Sequence, residues 1–391
     1  MTKKLIFLDN GATSYPKPQE VYEFMDNFYR NFGVNPGRSG YDLCLETEHM
    51  VDETRKMLTN FFNGTDSNRL CFSYNSTDAL NLIIFGLLKK GDHAITTTIE
   101  HNSVLRPLYH LWKFEGVEVD HIPFDSKGFV DPDDFPKKFK KNTKLVIVNH
   151  ASNVIGTVQP IKEIGRLCQE KHIIFAIDAS QSAGKIPIDI EADNIDVVAF
   201  TGHKSLLGPT GIGGLYVREG IEIRHTRAGG TGVRSAVRTH LEEYPYRLEY
   251  GTLNILGVAG LNAGLKWIEK KGLSNIHEQE MKLTSMLRDG LKGVDGVSLY
   301  CQDDLTNHIS IFSFNVNGLE AANTSTMLDV DYNIASRSGL HCAPRVHEQL
   351  GTDKVHGAVR FGVGPFNTEE DIQKAIGAVK EIAEFQRKKS S

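Results

Sequence analysis

Lys204 stands just past an apolar run, Val197-Val198-Ala199-Phe200, with His203 before it and a glycine-rich stretch, Gly208 to Gly214, behind it. A lysine at the end of a buried strand is either an ion-paired structural residue or an amine kept neutral by desolvation, the form a Schiff base needs. Asp178, closing "IIFAID", supplies a carboxylate that could pair with a pyridinium nitrogen and keep that ring an electron sink. His101, just past "HAITTT", could lie flat over the same ring. Ser76 and Thr77, opening a helical pattern, offer hydroxyls, backbone N–H groups and a positive dipole end to a phosphate. Taken together, these residues describe a pocket for pyridoxal 5'-phosphate (PLP).

A thiol is the second chemical feature. Of the five cysteines, Cys44, Cys71, Cys168 and Cys301 fall in patterned segments or at a strand-like end and read as packing. Cys342 lies instead in a Gly/Pro-bounded loop, beside His341 and near Arg337 and Arg345. Positive neighbours in a partly exposed loop favour thiolate, so Cys342 is a candidate nucleophile. "TGHKS" lacks the spacing of a Walker loop, and no GxGxxG follows the first strand. The glycines of "GPTGIGGLY" are read as letting backbone pass close to a cofactor before entering a strand.

The elements that must hold these groups alternate in type. "STDALNLIIFGLL" repeats Leu80, Ile83, Ile84 and Leu87 on one helical face, with Ser76 as its expected N-cap. "HAITTT", "KLVIVNH", "IIFAIDAS" and "DVVAFTG" are short apolar runs separated by helix-length segments, the pattern of a mostly parallel sheet covered by helices. Ligands in such sheets collect at the carboxyl ends of the strands, where His101, Asn149 to Asn153, Asp178 and Lys204 all fall. After about residue 265 the alternation loosens into strands within "SLYCQDDLTNHISIFSFNV", the loop "RSGLHCAPRVHEQLG" and a final helix. Thr368 and Asp371 start that helix, and Ile372, Ala375, Ile376, Val379, Ile382 and Ala383 form its apolar stripe.

A chain of 391 residues with 40% hydrophobic content is expected to be an ordinary globular protein of two domains. A net charge of −5 argues against nucleic acid or an anionic membrane as the main partner. The opening "MTKKLIFLDNGAT" has too short an apolar run for a signal peptide, and "LNLIIFGLL" is too short to span a bilayer. The cysteines are odd in number, dispersed and without a CxxC pair, which fits neither a disulfide framework nor a metal site. A cytoplasmic location is expected.

The sequence closely resembles the class V aminotransferase group of fold-type I PLP enzymes, in particular the group II (Suf-type) cysteine desulfurases and selenocysteine lyases. The resemblance runs through "FLDNGATSYPKP", "NSTDALN", "IEHNS", "NHASNVIGTVQPI", "IDASQSAGKIPID", "FTGHKSLLGPTGIGGLYV", "GTLNI", "RSGLHCAP" and "VRFGVGPFNTEEDI", in that order. It implies an α/β fold with a large domain over 15–265, built on a mostly parallel seven-stranded sheet between helices. A smaller α+β domain over 1–14 and 266–391 would carry the cysteine loop. It also implies Lys204 as Schiff-base lysine, Asp178 at the pyridine nitrogen and His101 as a catalytic residue that stacks on the ring and assists proton transfer. Gln181 and Asn153 would lie at the ring hydroxyl, with Thr77, Thr201 and His203 at the phosphate together with Ser76. Gly251 and Thr252 would reach the phosphate of a neighbouring subunit, hence a homodimer. Arg360 would grip the substrate carboxylate, and Arg38, in "NPGRSGYD", matches another arginine near the pocket. Two departures stand out: Asn75 replaces the usual glycine before the hydroxyl pair, and Leu340-His341-Cys342 replaces the two histidines that usually precede the cysteine.

The implied reaction is desulfuration of L-cysteine to L-alanine. Lys204 would move the Cα proton and Cys342 would take the sulfur as a persulfide. A sulfur-acceptor protein or small thiol would then receive it, for iron–sulfur cluster or thio-cofactor biosynthesis. L-Selenocysteine is an alternative substrate, and an aminotransferase or epimerase that does not use Cys342 is an alternative activity. Two readings from outside the family also fit the residues: a thiol-hydrolase pair of Cys342 and His341 with a structural Lys204, and a non-enzymatic sulfur relay.

Overall fold

Each apolar run forms a strand, and the helix-length segments between the runs lie across the sheet these strands make. The computed structural model describes residues 4–37, 40–301 and 303–390. Strands β1 (Leu70–Ser73), β2 (His93–Thr97), β3 (Glu118–Ile122), β4 (Thr143–Asn149), β5 (Ile174–Asp178), β6 (Val197–Thr201) and β7 (Gly213–Val217) form one sheet in the order β3-β2-β4-β5-β6-β7-β1. Neighbours are parallel except at β7, which runs antiparallel to both β6 and β1. The mostly parallel seven-stranded sheet expected from the sequence is present.

Alternate residues of these strands enter different cores, because successive side chains of a strand point to opposite faces. Val146, Val148, Phe175, Ile177, Val198 and Phe200 join one buried cluster; Leu145, Ile147, Ile174, Ala176, Val197 and Ala199 join another. Burial on both faces explains why the runs are unbroken rather than alternating. Helices α1 (Gln19–Phe32), α2 (Asp42–Phe61), α3 (Ser76–Leu87), α4 (Asn102–His110), α5 (Ile161–Glu170) and α6 (Ile255–Lys271) belong with this sheet. The cap of α3 differs from the expected Ser76: Asn75 takes that place, its side chain accepting from Asp78 N–H at 3.0 Å. With Asn75 accepting the third N–H, Ser76 and Thr77 fall inside the first turn, their hydroxyls free of capping.

Four later strands, β8 (Val297–Leu299), β9 (Ile311–Val316), β10 (Arg337–Gly339) and β11 (Ala358–Gly362), form an antiparallel sheet in the order β10-β11-β9-β8. Helices α7 (Leu273–Leu291), α8 (Ala321–Tyr332) and α10 (Glu369–Ser390) pack a third core around it that includes Leu287, Phe312, Phe361 and the expected stripe of α10. Reciprocal bonds between Thr368 and Asp371 start α10 as a capping box. The chain start packs beside this sheet: Ile6 and Phe7 pair in parallel with Ile334 and Ala335 as a separate two-stranded sheet, and Asp9 bridges Gly362 at the end of β11. A short helix, α9 (Pro344–Leu350), follows the cysteine loop. Among the described residues no helix is long and apolar enough to cross a membrane.

Candidate active site

The carboxyl ends of β2, β4, β5 and β6 lie side by side, and their polar residues meet there. Asn149 sits opposite Asp178 in register, and Asp178 opposite Ala199 of the strand that leads to Lys204. Asp178 is buried, and its Oδ1 accepts from Ser180 N–H at 2.9 Å and from the Ser180 hydroxyl. Desolvation lowers the Lys204 amine from 10.5 to about 8; Arg360 and Arg337 push the same way, while Asp178 and Asp9 oppose them. An amine so placed is neutral far more often than a surface lysine.

On the segments that carry this site, four buried polar atoms have no hydrogen-bond partner among the described residues: Thr201 Oγ1, His203 Nδ1, Asn153 Oδ1 and Arg360 Nε. Buried hydrogen-bonding groups are nearly always satisfied, so four orphans on the segments of one site suit a polar guest. Burial, with Lys204 and Lys17 adding to it, lowers the His203 imidazole to about 4, so that it is neutral at pH 7.

His101 caps α4, its Nδ1 accepting from Ser103 N–H at 3.1 Å, which leaves the ring proton on Nε2. Burial and the adjacent Lys204 lower this imidazole to about 4. The Ser103 hydroxyl lies 2.8 Å from His101 Nδ1 and 2.7 Å from Thr77 Oγ1, so it joins the starts of α3 and α4. Thr77, His101 and Cys342 line a common cleft.

Arg337 and Arg360 face each other on β10 and β11. Arg360 is fully buried; its Nη2 donates to Asp9 Oδ1 and its Nη1 to Asn153 O, each at 2.8 Å. Burial lowers the guanidinium, with Arg337 adding to the effect and Asp9 opposing it. Gly11 is required here, since a Cβ on it would come within 3.0 Å of Arg360 Cζ. Two guanidinium groups against one carboxylate leave this corner short of negative charge, a setting for a carboxylate ligand. Arg337 Nη2 donates to Cys342 Sγ at 3.4 Å. The cysteine loop is fastened from both sides: Asn102 N–H donates to Cys342 O at 2.7 Å, and Asn153 Nδ2 to His341 O at 2.7 Å. These ties hold His341 and Cys342 in the left-handed region, at φ 49° and 57°, which costs non-glycine residues free energy. Cys342 itself is exposed.

Comparison with known proteins agrees with this architecture. The family model for class V aminotransferases matches residues 6–375. The chain belongs to the class V aminotransferase family. Among family relatives, a probable cysteine desulfurase of Pyrococcus abyssi is 36% identical over 99% of this chain and 96% of its own length. The cysteine desulfurase IscS of Clostridium botulinum is 32% identical over 99% of this chain and 96% of its own. The apo structure of a cysteine desulfurase from Thermococcus onnurineus superposes with a TM-score of 0.91, at 36% identity, covering 97% of this chain and 95% of that one.

Not every residue singled out in the sequence joins the cluster. Gly251 and Thr252 are exposed, and Thr252 borders a small pocket with Tyr74 and Asp78 instead. Gln181 is buried and spends its Nε2 on Gly11 O at 2.8 Å. Arg38 lies outside the described residues. His341 does not pair with the thiol as a hydrolase base would. It is buried, with Nδ1 3.3 Å from His347 Nε2 and Nε2 3.4 Å from Arg337 O, and His347 Nδ1 meets Thr352 Oγ1 at 2.8 Å. A Cβ on Gly213 would strike the Asn75 backbone at 2.8 Å, so the bare residue lets β7 pass close to the turn that starts α3, where Ser76 and Thr77 lie.

Several participants escaped the sequence reading. Asp9 and Ser103 sit inside quoted blocks, yet nothing local says that one meets Arg360 and the other bridges Thr77 and His101. Glu100, next to His101, is buried, its Oε1 accepting from Thr97 Oγ1 at 2.7 Å and Asn149 N–H at 2.9 Å. Burial raises this carboxyl to about 8, so it is protonated at pH 7 and ties the ends of β2 and β4 without adding charge.

Proposed function

We propose that the protein is a PLP-dependent cysteine desulfurase that converts L-cysteine to L-alanine, holds the sulfur as a persulfide on Cys342, and passes it to an acceptor protein or small thiol. The observation that carries this reading is the exposed Cys342 sulfur, held by Arg337 on a loop tied to the helix start of His101 and to Asn153 beside Arg360. The thiol-bearing loop residue is thereby fixed in the lining of the cleft that Thr77 and His101 share. The short motif "RSGLHCAP" supports the group II (Suf-type) subclass, and sulfur for iron–sulfur cluster or thio-cofactor biosynthesis is the natural use of such a product.

The donor set fits PLP. Lys204 would hold its aldehyde carbon, Asp178 its ring nitrogen and His101 one ring face. The orphaned Asn153 Oδ1 suits a ring hydroxyl with Gln181 nearby, and Thr201, His203, Ser76 and Thr77 suit a phosphate at the start of α3. When bound, the coenzyme supplies an electron sink for the Cα carbanion. The protein's own part follows from the geometry. Arg360, with Arg337 alongside, binds and orients the substrate carboxylate. Lys204, neutral more readily because its pKa is near 8, takes the Cα proton and returns it within the cleft. Cys342 Sγ attacks the substrate sulfur: the S–S bond forms, the C–S bond breaks, and its electron pair remains with the carbon skeleton that becomes alanine. Exposure of Gly251 and Thr252 and of much of the segment from Arg224 to Thr239 supports a homodimer in which these residues serve the partner's phosphate.

The test is alanine formation from cysteine by holoenzyme, with mass spectrometry of the resting protein. The expected result is one added sulfur on the Cys342 peptide, and no alanine from Cys342→Ala. Cysteine turnover that persists in that variant would overturn the reading.

A further inference from the structure

Behind the cysteine loop runs an open groove between α4 and α9, floored by the edge strand β3. Its cavity volume is about 510 Å³, walled by Tyr109, Trp112, Val119 and Pro344, with Arg106 and Arg345 on its rim. The aromatic side chains are conspicuous: Tyr109 is 55% and Trp112 54% exposed, with ring centroids 5.4 Å apart. Past α4 the chain widens to five-residue bonding over Leu111–Glu115, ending where Gly116 N–H meets Leu111 O. Such widened turns recur at functional sites. A tryptophan and a tyrosine presented together beside arginine are the residue types that anchor protein partners.

Charge narrows the partner. The carboxylates of β3 are already matched: Glu118 pairs with Lys140 at 3.0 Å, and Asp120 with Lys140 at 3.2 Å and Lys138 at 3.7 Å. Arg106 and Arg345 form no ion pair among the described residues, and the groove lining holds one carboxylate, Glu348. The rim is therefore net positive and complements an acidic surface. Position narrows it further. Pro344 and Arg345 follow Cys342 by two and three residues in the chain, and Asn102, which also lines the groove, donates to Cys342 O. A segment lying in this groove ends beside the thiol.

We propose that the groove docks an acidic, thiol-bearing segment of the protein that receives sulfur from Cys342. This rests on the desulfurase reading. In the transfer, the acceptor thiolate attacks the outer sulfur of the Cys342 persulfide. A new S–S bond forms on the acceptor, the old one breaks, and its electron pair stays on Cys342 Sγ as thiolate. No external oxidant or reductant is consumed.

The experiment uses holoenzyme and two peptides of equal length, each with a single cysteine, flanked by aspartate and glutamate in one and by lysine in the other. Persulfide transfer to the acidic peptide is expected to be about tenfold faster than to the basic one at low ionic strength, with the preference lost at high salt. Trp112→Ala and Arg106→Glu should each erase that preference while leaving alanine formation with dithiothreitol unchanged. In parallel, cysteine-to-serine forms of both peptides are titrated against Trp112 fluorescence, with Trp112→Phe as the blank. Quenching by the acidic form alone, without turnover, would keep the groove and sink the desulfurase reading. Normal alanine formation with equal transfer to both peptides, or with no quenching, would overturn the groove. Protein-concentration-dependent burial of Trp112 without peptide would also overturn it, by assigning the face to a second copy of the chain.

Discussion

Lys204 offers the most direct check, because its chemistry has a pH signature. A lysine amine at its usual 10.5 is neutral about once in 3000 molecules at pH 7; one at about 8 is neutral about once in ten, roughly a 300-fold gain in reactive form. The same shift corresponds to roughly 3 kcal/mol favouring the neutral amine in the folded state. In apo-protein mixed with PLP at graded pH, the rate of covalent capture, followed by absorbance and fixed with borohydride, should rise to a plateau with a midpoint near 8. Peptide mapping should find the label on Lys204. Asp178→Asn removes the strongest influence holding the proton on, so its midpoint should move below 8. Stability follows with a definite sign. Between about 8 and 10.5 the unfolded chain binds the proton and the folded one does not, so Lys204 makes the apo-protein more stable as pH rises through that window and less stable below it. A capture midpoint above 10, or label on another lysine, would refute the placement of this amine.

Three further outcomes are expected. In Arg360→Lys the paired bonds to Asp9 and Asn153 cannot both be kept, and loss of a buried charged contact of about 2–4 kcal/mol should raise KM for cysteine roughly 30- to 1000-fold with a smaller change in kcat; an unchanged KM would make Arg360 purely structural. Cys342→Ser should leave the visible spectrum of bound PLP intact while abolishing persulfide formation, and side-by-side alanine assays with cysteine and selenocysteine show whether selenium release needs the thiol. Lys185, buried against Glu280 and 2.5 Å from Ser310 Oγ, links the large sheet to α7 and β9; Lys185→Ala leaves Glu280 unpaired and should cost about 3–5 kcal/mol, seen as a lower midpoint in thermal or urea unfolding.

The local patterns carried much of this structure. Apolar runs with polar last residues located β2, β4, β5 and β6 and put His101, Asp178 and Lys204 at their ends, because in a parallel sheet every strand delivers its carboxyl end to the same side. The capping box at Thr368 and the stripe of α10 were equally legible, since both are set within a turn or two of helix. The loop and its arginines already singled out the thiol at 342, and the motif resemblance added the arginine at 360.

What lay beyond the sequence is contact between segments far apart in the chain. The antiparallel insertion of β7 between β6 and β1, Asp9 meeting Arg360, Asn102 pinning Cys342, and His341 turned toward His347 rather than the thiol depend on how whole layers pack. Periodicity and capping record each segment's own conformation and buried face. They hold no distance between one segment and another, so Lys204, Asp178, His101 and Cys342 could be named from the chain, while supporting residues such as Asp9, Ser103 and Glu100, and the mutual geometry of all of them, were settled only when the cores closed around them.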